Sequence, residues 1–131
     1  MKDHFQIIKS YLLELDFDIT YENQEEGILT IAKEEEGIAN LIVGVAAPIL
    51  ILEQFIFEIN NPSVDVYQEL LRKNRDIIHG AFALDQTGRK VIFRDTLQLE
   101  NLDLNELEGT LNSLSLLLSE YSKQILEFVK Y

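Results

Sequence analysis

Apolar residues recur along this chain with two different periods, and the alternation between those periods sets out its elements. Over residues 2–16, Phe5, Ile8, Leu12 and Leu15 fall three or four apart, while Lys2, Lys9, Glu14 and Asp16 lie elsewhere. That spacing predicts a helix with one apolar stripe. Ile7 and Tyr11 widen the stripe, so the helix is expected to be covered on more than one side. The period then shortens. Phe17–Glu22 alternates weakly, Ile28–Lys33 reads as a strand, and the turn Glu34–Gly37 leads into Ile38–Val45. Pro48 opens a further strand over Ile49–Ile59, rich in Ile, Leu and Phe. Beta-branched and aromatic enrichment favours strand over helix, and short turns favour antiparallel neighbours.

The strand Ile49–Ile59 is apolar on both faces. Ile49, Ile51, Phe55, Phe57 and Ile59 share one parity, while Leu50, Leu52 and Ile56 share the other with Gln54 and Glu58. A sheet with one solvated face alternates apolar and polar. The second face, assigned to Leu50, Leu52 and Ile56, is therefore expected to be covered by another element or another chain.

Asn61 and Pro62 suit an N-cap and a first helical turn, where proline's missing N–H costs nothing. Val64, Tyr67, Leu70, Leu71 and Asn74 mark the stripe of this second helix. Asp65 and Glu69 lie early in it and Arg72, Lys73 and Arg75 late, which matches the helix dipole. A hairpin follows, pairing Ala81–Asp85 with Lys90–Glu100 across Asp85-Gln86-Thr87-Gly88. Val91, Phe93, Leu97 and Leu99 form its apolar face, interrupted by Asp95. Asp103 and Glu106 resemble a capping box opening the last helix. Its stripe of Leu104, Leu107, Leu111, Leu114, Leu118, Tyr121, Ile125 and Phe128 predicts one helix of roughly 27 residues, about 40 Å long. Its first half is expected to pack on the sheet. Its end, from about residue 120 to 131, is expected to project or to pack on a partner subunit.

The fold class is therefore α+β within a single domain spanning 1–131: helix, three or four antiparallel strands, helix, two-strand hairpin, long helix. The 131 residues, 47% of them apolar, suffice for one core without disulfides or metals. There is no cysteine, which rules out disulfides and thiolate chemistry and suits a reducing cytoplasm. The formal net charge of −12 opposes binding to nucleic acid or to an anionic membrane. The imbalance is concentrated early: residues 1–60 hold twelve acids and three bases. Later bases cluster at Arg72-Lys73-Arg75 and Arg89-Lys90-Arg94. Acids within its apolar stretch make the N-terminus unlike a secretory signal. The longest apolar run, Leu41–Leu52, is too short to span a bilayer and is broken by Gly44 and Pro48. A soluble cytoplasmic protein is expected.

Candidate chemistry is sparse. His4 and His79 have no metal-ligand spacing, and Glu34–Glu36 reads as a solvated turn. Asp103–Glu108 lacks the oxygen ligand and glycine of a calcium loop at Leu107 and Glu108. No phosphate loop or nucleophile elbow is present. No enzyme activity, metal or cofactor is expected.

Pro48-Ile49-Leu50 with Glu58-Ile59, the helix Val64–Asn74 (VDVYQELLRKN), then His79–Arg89 (HGAFALDQTGR) and Arg94–Leu114 (RDTLQLENLDLNELEGTLNSL) carry a resemblance. The chain resembles the type III secretion chaperone-like fold, and within it the YbjN-like family, over nearly its whole length. The resemblance implies a small acidic cytoplasmic α+β protein, often a homodimer, that binds a polypeptide by strand addition and apolar pockets. The extended Leu-rich final helix departs from the family's pattern. The expected function is a non-enzymatic chaperone-type module holding a partner polypeptide. The alternative is a regulatory or structural homodimeric subunit without a client. Expected partner or dimer contacts are Leu50, Leu52 and Ile56 on the second sheet face, and Leu117, Tyr121, Ile125 and Phe128 on the last helix.

Overall fold

The computed structural model describes the backbone of residues 2–130 and the side chains of residues 2–127. Helix α1 (His4–Glu14) starts where the Asp3 carboxylate accepts the Gln6 amide at 3.2 Å, and it buries Phe5, Ile8 and Leu12. Four antiparallel strands follow: β1 (Asp18–Asn23), β2 (Ile28–Lys33), β3 (Ile38–Ala46) and β4 (Ile49–Glu58). A single 3₁₀ turn over Glu34–Glu36 joins β2 to β3. There Glu34 and Glu35 are exposed, whereas Glu36 pairs with Lys33 at 3.3 Å.

Helix α2 (Val64–Asn74) is capped by Ser63, whose hydroxyl accepts the Val66 amide at 3.4 Å. The cap thus lies two residues past Asn61, and Pro62 stays outside the helix. The hairpin comprises β5 (Ala81–Leu84) and β6 (Lys90–Gln98), and α3 (Leu104–Glu120) starts at Asp103, which accepts the Glu106 amide at 2.8 Å. The long last helix is interrupted at one residue, Tyr121. Tyr121 departs from helical geometry (φ −102°, ψ 8°), and α4 (Ser122–Lys130) follows it and lies against β4. The Tyr121 ring gives a physical reason: it packs 6.2 Å from the Phe82 ring, with the Lys73 ammonium 5.1 Å from its centroid.

The six strands form one sheet in the order β1-β2-β3-β4-β6-β5, antiparallel throughout. One face carries Leu29, Ile31, Leu41, Val43, Leu50, Leu52, Val91 and Phe93, all at 1% exposure or less. These side chains share one core with Phe5, Ile8 and Leu12 of α1 and with Leu107, Leu111, Leu114 and Leu117 of α3. No strand residue of the opposite parity is buried. Gly80 feeds β5 into this core with φ +83°, where a Cβ would overlap the Phe93 ring.

Candidate functional site

Among the uncovered apolar surfaces of the described residues, two arise from how β4, β5 and α2 are placed. The first is the outer face of the sheet. Strand β4 has a bulge between Phe55 and Phe57, so Ile56 is the extra residue and Phe57 returns to the core side. Before the bulge, Leu50, Leu52 and Gln54 point into the core, while Ile49, Ile51, Glu53 and Phe55 point outward. Leu50 and Leu52, expected as partner or dimer contacts on a face covered by another element or another chain, are fully buried in this chain's own core. The open face belongs to the other parity, with Phe55 53% and Ile42 46% exposed. Across it, Glu53 is register partner to Arg94 on β6, and their side chains form an ion pair.

The second surface is a groove between α2 and β5. It has a volume of about 380 Å³ and is lined by Tyr67, Leu70, Leu71, Asn74, Phe82, Ala83 and Leu84. Leu71 is 70% exposed and Leu84 43%. Three polar contacts hold its walls. The Asn74 amide nitrogen donates to the Phe82 carbonyl at 3.1 Å, and the Phe82 amide donates back to the Asn74 side-chain oxygen at 2.7 Å. The Tyr67 hydroxyl donates to the Gly88 carbonyl at 3.1 Å. Asn74 thereby occupies the outward hydrogen-bonding positions of Phe82 on the edge strand, blocking strand addition at that residue. What the groove offers is apolar contact rather than an open backbone edge.

Of the other expected contact residues, Leu117 is buried at 3% exposure, a core residue of α3 rather than a surface one. Its stripe neighbours already face the sheet, so the helix turn brings it to the same side. Ile56, Tyr121 and Ile125 are partly buried against the core. The side chain of Phe128 lies outside the described residues. Burial raises the Tyr121 phenol above its ordinary value of 10.0, and the charges of Glu120 and Asp76 add to the shift.

Part of each basic cluster is engaged locally. Arg72 and Lys73 reach Glu69 at 2.7 and 3.7 Å, and Arg94 pairs with Glu53. The Asp85 carboxyl is lowered, chiefly by the Thr87 hydroxyl donating to it at 2.6 Å, which orders the hairpin turn. Among the described residues, no group of three or more His, Asp or Glu side chains could hold a metal ion. No helix among them is long and apolar enough to cross a membrane. Sequence reading missed Leu71, Leu84, Ile51 and Phe55 as surface residues. Pairing β4 with β6 carried the missing signal, because the polar positions Arg94, Thr96 and Gln98 lie opposite Glu53, Ile51 and Ile49.

Comparison with known proteins adds a family. The chain belongs to the CesT_Tir_1 family of type III secretion chaperones, whose model matches residues 1–131. No curated protein matches it. Its fold is similar to that of YbjN from E. coli, with TM-score 0.67, 12% identity and 91% of each chain covered. It is also similar to a chain of the ExsC–ExsE complex, with TM-score 0.69, 18% identity and 92% of each chain covered. The type III secretion chaperone SycH from Yersinia pestis, solved with a stable fragment of YscM2, gives TM-score 0.58 at 17% identity, covering 95% of this chain and 98% of that one.

Proposed function

We propose that this family member is a non-enzymatic, cytoplasmic protein-binding module of chaperone type, working as a homodimer, that seats an apolar segment of a partner polypeptide between α2 and β5. The observation that carries this reading is the groove itself: an almost wholly apolar concavity of about 380 Å³ whose walls are fixed by the Asn74–Phe82 and Tyr67–Gly88 hydrogen bonds. A preformed apolar pocket on an acidic surface suits side chains of an unfolded segment, because little ordering cost falls on the receptor. The net charge of −12 keeps such a module soluble and draws basic amphipathic segments toward it. Structural neighbours solved with polypeptide partners support the same reading.

The test is affinity capture with the wild-type chain and with Leu71→Asp and Leu84→Asp variants, folding being checked by circular dichroism. A polypeptide retained by the wild type and lost from both folded variants is expected. Equal retention by all three would remove the groove as the binding site. Recovery of the chain alone would favour a second reading, a regulatory or structural homodimeric subunit without a client. The charge pairing on the outer sheet face is the observation that favours it.

A further inference from the structure

A second, smaller cavity lies between the segment Asp76–His79, which leads out of α2, and the side of α3 that carries Gly109, Ser113 and Leu116. Its volume is about 250 Å³, below the ~300–1,000 Å³ of small-molecule sites, so it suits a single side chain rather than a whole small ligand. Ile78 and Leu116 line it and are 88% and 59% exposed. The Ser113 hydroxyl donates to the His79 carbonyl at 3.3 Å, which ties the segment to α3. The two carboxylates of the lining, Asp76 and Glu120, share it with no Lys or Arg. Neither forms an ion pair among the described residues. After burial, it is the charges of these two that raise the Tyr121 phenol, another lining residue, so both act on one place. The Lys73 ammonium rests 5.1 Å from the Tyr121 ring centroid, but it pairs with Glu69 at 3.7 Å and does not line the cavity.

We propose that this cavity seats a basic side chain, arginine or lysine, of the same partner polypeptide whose apolar side chains enter the groove between α2 and β5. The inference rests on that reading of the groove and adds the chemistry of a second position. Arginine and lysine each carry an aliphatic stem and a cationic head. The stem covers Ile78 and Leu116 while the head meets the carboxylates of Asp76 and Glu120. Other occupants fit worse. A wholly apolar side chain would take two unpaired carboxylates out of water, and an acidic one would be repelled by them. The two cavities also adjoin: Phe82 lines the groove, Tyr121 lines this cavity, and their rings are 6.2 Å apart. At about 3.3 Å per residue, an extended segment crosses from one to the other within a few residues. The segment recognised is therefore one that sets a base close to large aliphatic side chains, not one that is apolar throughout.

Fluorescence anisotropy with two labelled peptides tests this. Both peptides have a Gly/Ser frame carrying two leucines; one has an arginine a few residues on, the other its neutral isostere citrulline. The wild type is expected to bind the arginine peptide ~tenfold more tightly than the citrulline peptide. In the double variant Asp76→Asn, Glu120→Gln that preference should fall to about twofold or less, with affinity for the citrulline peptide unchanged. A control double variant, Glu25→Gln with Glu26→Gln, makes the same change in net charge at exposed positions between β1 and β2, on the edge of the sheet opposite β5. It should keep the preference. A preference that survives Asp76→Asn with Glu120→Gln, one that the control loses equally, or a wild type that binds neither peptide or both alike would each overturn the proposal. Leu71→Asp reports on the groove instead: it should weaken both peptides by the same factor and leave their ratio intact. If it weakens neither, the groove fails while the ratio still judges this cavity.

Discussion

Strand β4 offers two faces that are almost equally apolar in composition and opposite in fate. Leu50 and Leu52 are sealed completely in the core that α1 and α3 share, whereas two residues along from Glu53 the outward Phe55 is half exposed. Hydrophobicity alone does not decide which face of such a strand becomes the core. The decision comes from the neighbours: β6 sets Val91 and Phe93 beside the Leu50–Leu52 parity and Ile92, Arg94 and Thr96 beside the other. Helices with a single apolar stripe can cover only one face of a sheet, and the helices of this chain all contribute to the same one.

The largest expected effect lies on the covered face. Leu52→Ala removes a fully buried side chain packed on all sides and should cost about 2–5 kcal/mol, whereas Ile51→Ala one position away should cost a small fraction of that in the monomer. Urea unfolding of both variants at low protein concentration reads the difference directly. Equal losses would mean that the outer face is packed within one chain after all. Next comes Gly80→Ala, which attacks the covered face from a loop. Its backbone has φ +83°, and the added methyl would overlap the Phe93 ring, so a loss above about 2 kcal/mol is expected. Gly88→Ala, also at positive φ (+73°) but with open space around it, should cost only the backbone strain, about 1 kcal/mol.

A gain is available on the same face. Thr110 is 1% exposed, and its hydroxyl has no hydrogen-bond partner. Thr110→Val keeps the shape of the side chain and removes a buried orphan donor, so an increase of up to about 1 kcal/mol is expected, visible as a few degrees in the thermal midpoint. No gain, or a loss, would show that the hydroxyl is bonded through water.

Much of the architecture is legible from spacing. The stripes of α1 and α3 and the hairpin were readable because each has one period and one apolar side. The comparison of β4's faces was not, because the bulge at Ile56 shifts the parity partway along the strand, so Phe57 and Ile59 look as if they belong with Ile49 and Ile51. The break in the last helix escaped for a related reason. The stripe Leu114, Leu118, Tyr121 and Ile125 keeps helical spacing across Tyr121, and only its contacts with Phe82 and Lys73, distant in sequence, mark the place where the helix is interrupted. The groove between α2 and β5 was hidden because Leu71 adjoins Leu70, and a pair of leucines does not say which one faces inward. In each case the missing information is a contact between elements, not a property of either element.

The smallest effect on the monomer, and the sharpest separation of the two faces, should come from Phe55→Thr. Phe55 is 53% exposed on a strand interior, so replacing it with a β-branched polar residue should change unfolding at high dilution by no more than about 0.5 kcal/mol. If a second copy covers the face, the wild-type midpoint rises with protein concentration, since association stabilises the folded state by mass action. The variant should lose that rise while keeping its dilute-limit stability. A midpoint independent of concentration in both proteins would mean that the face carries no association energy, and the half-exposed Phe55 would then be a residue the monomer simply tolerates.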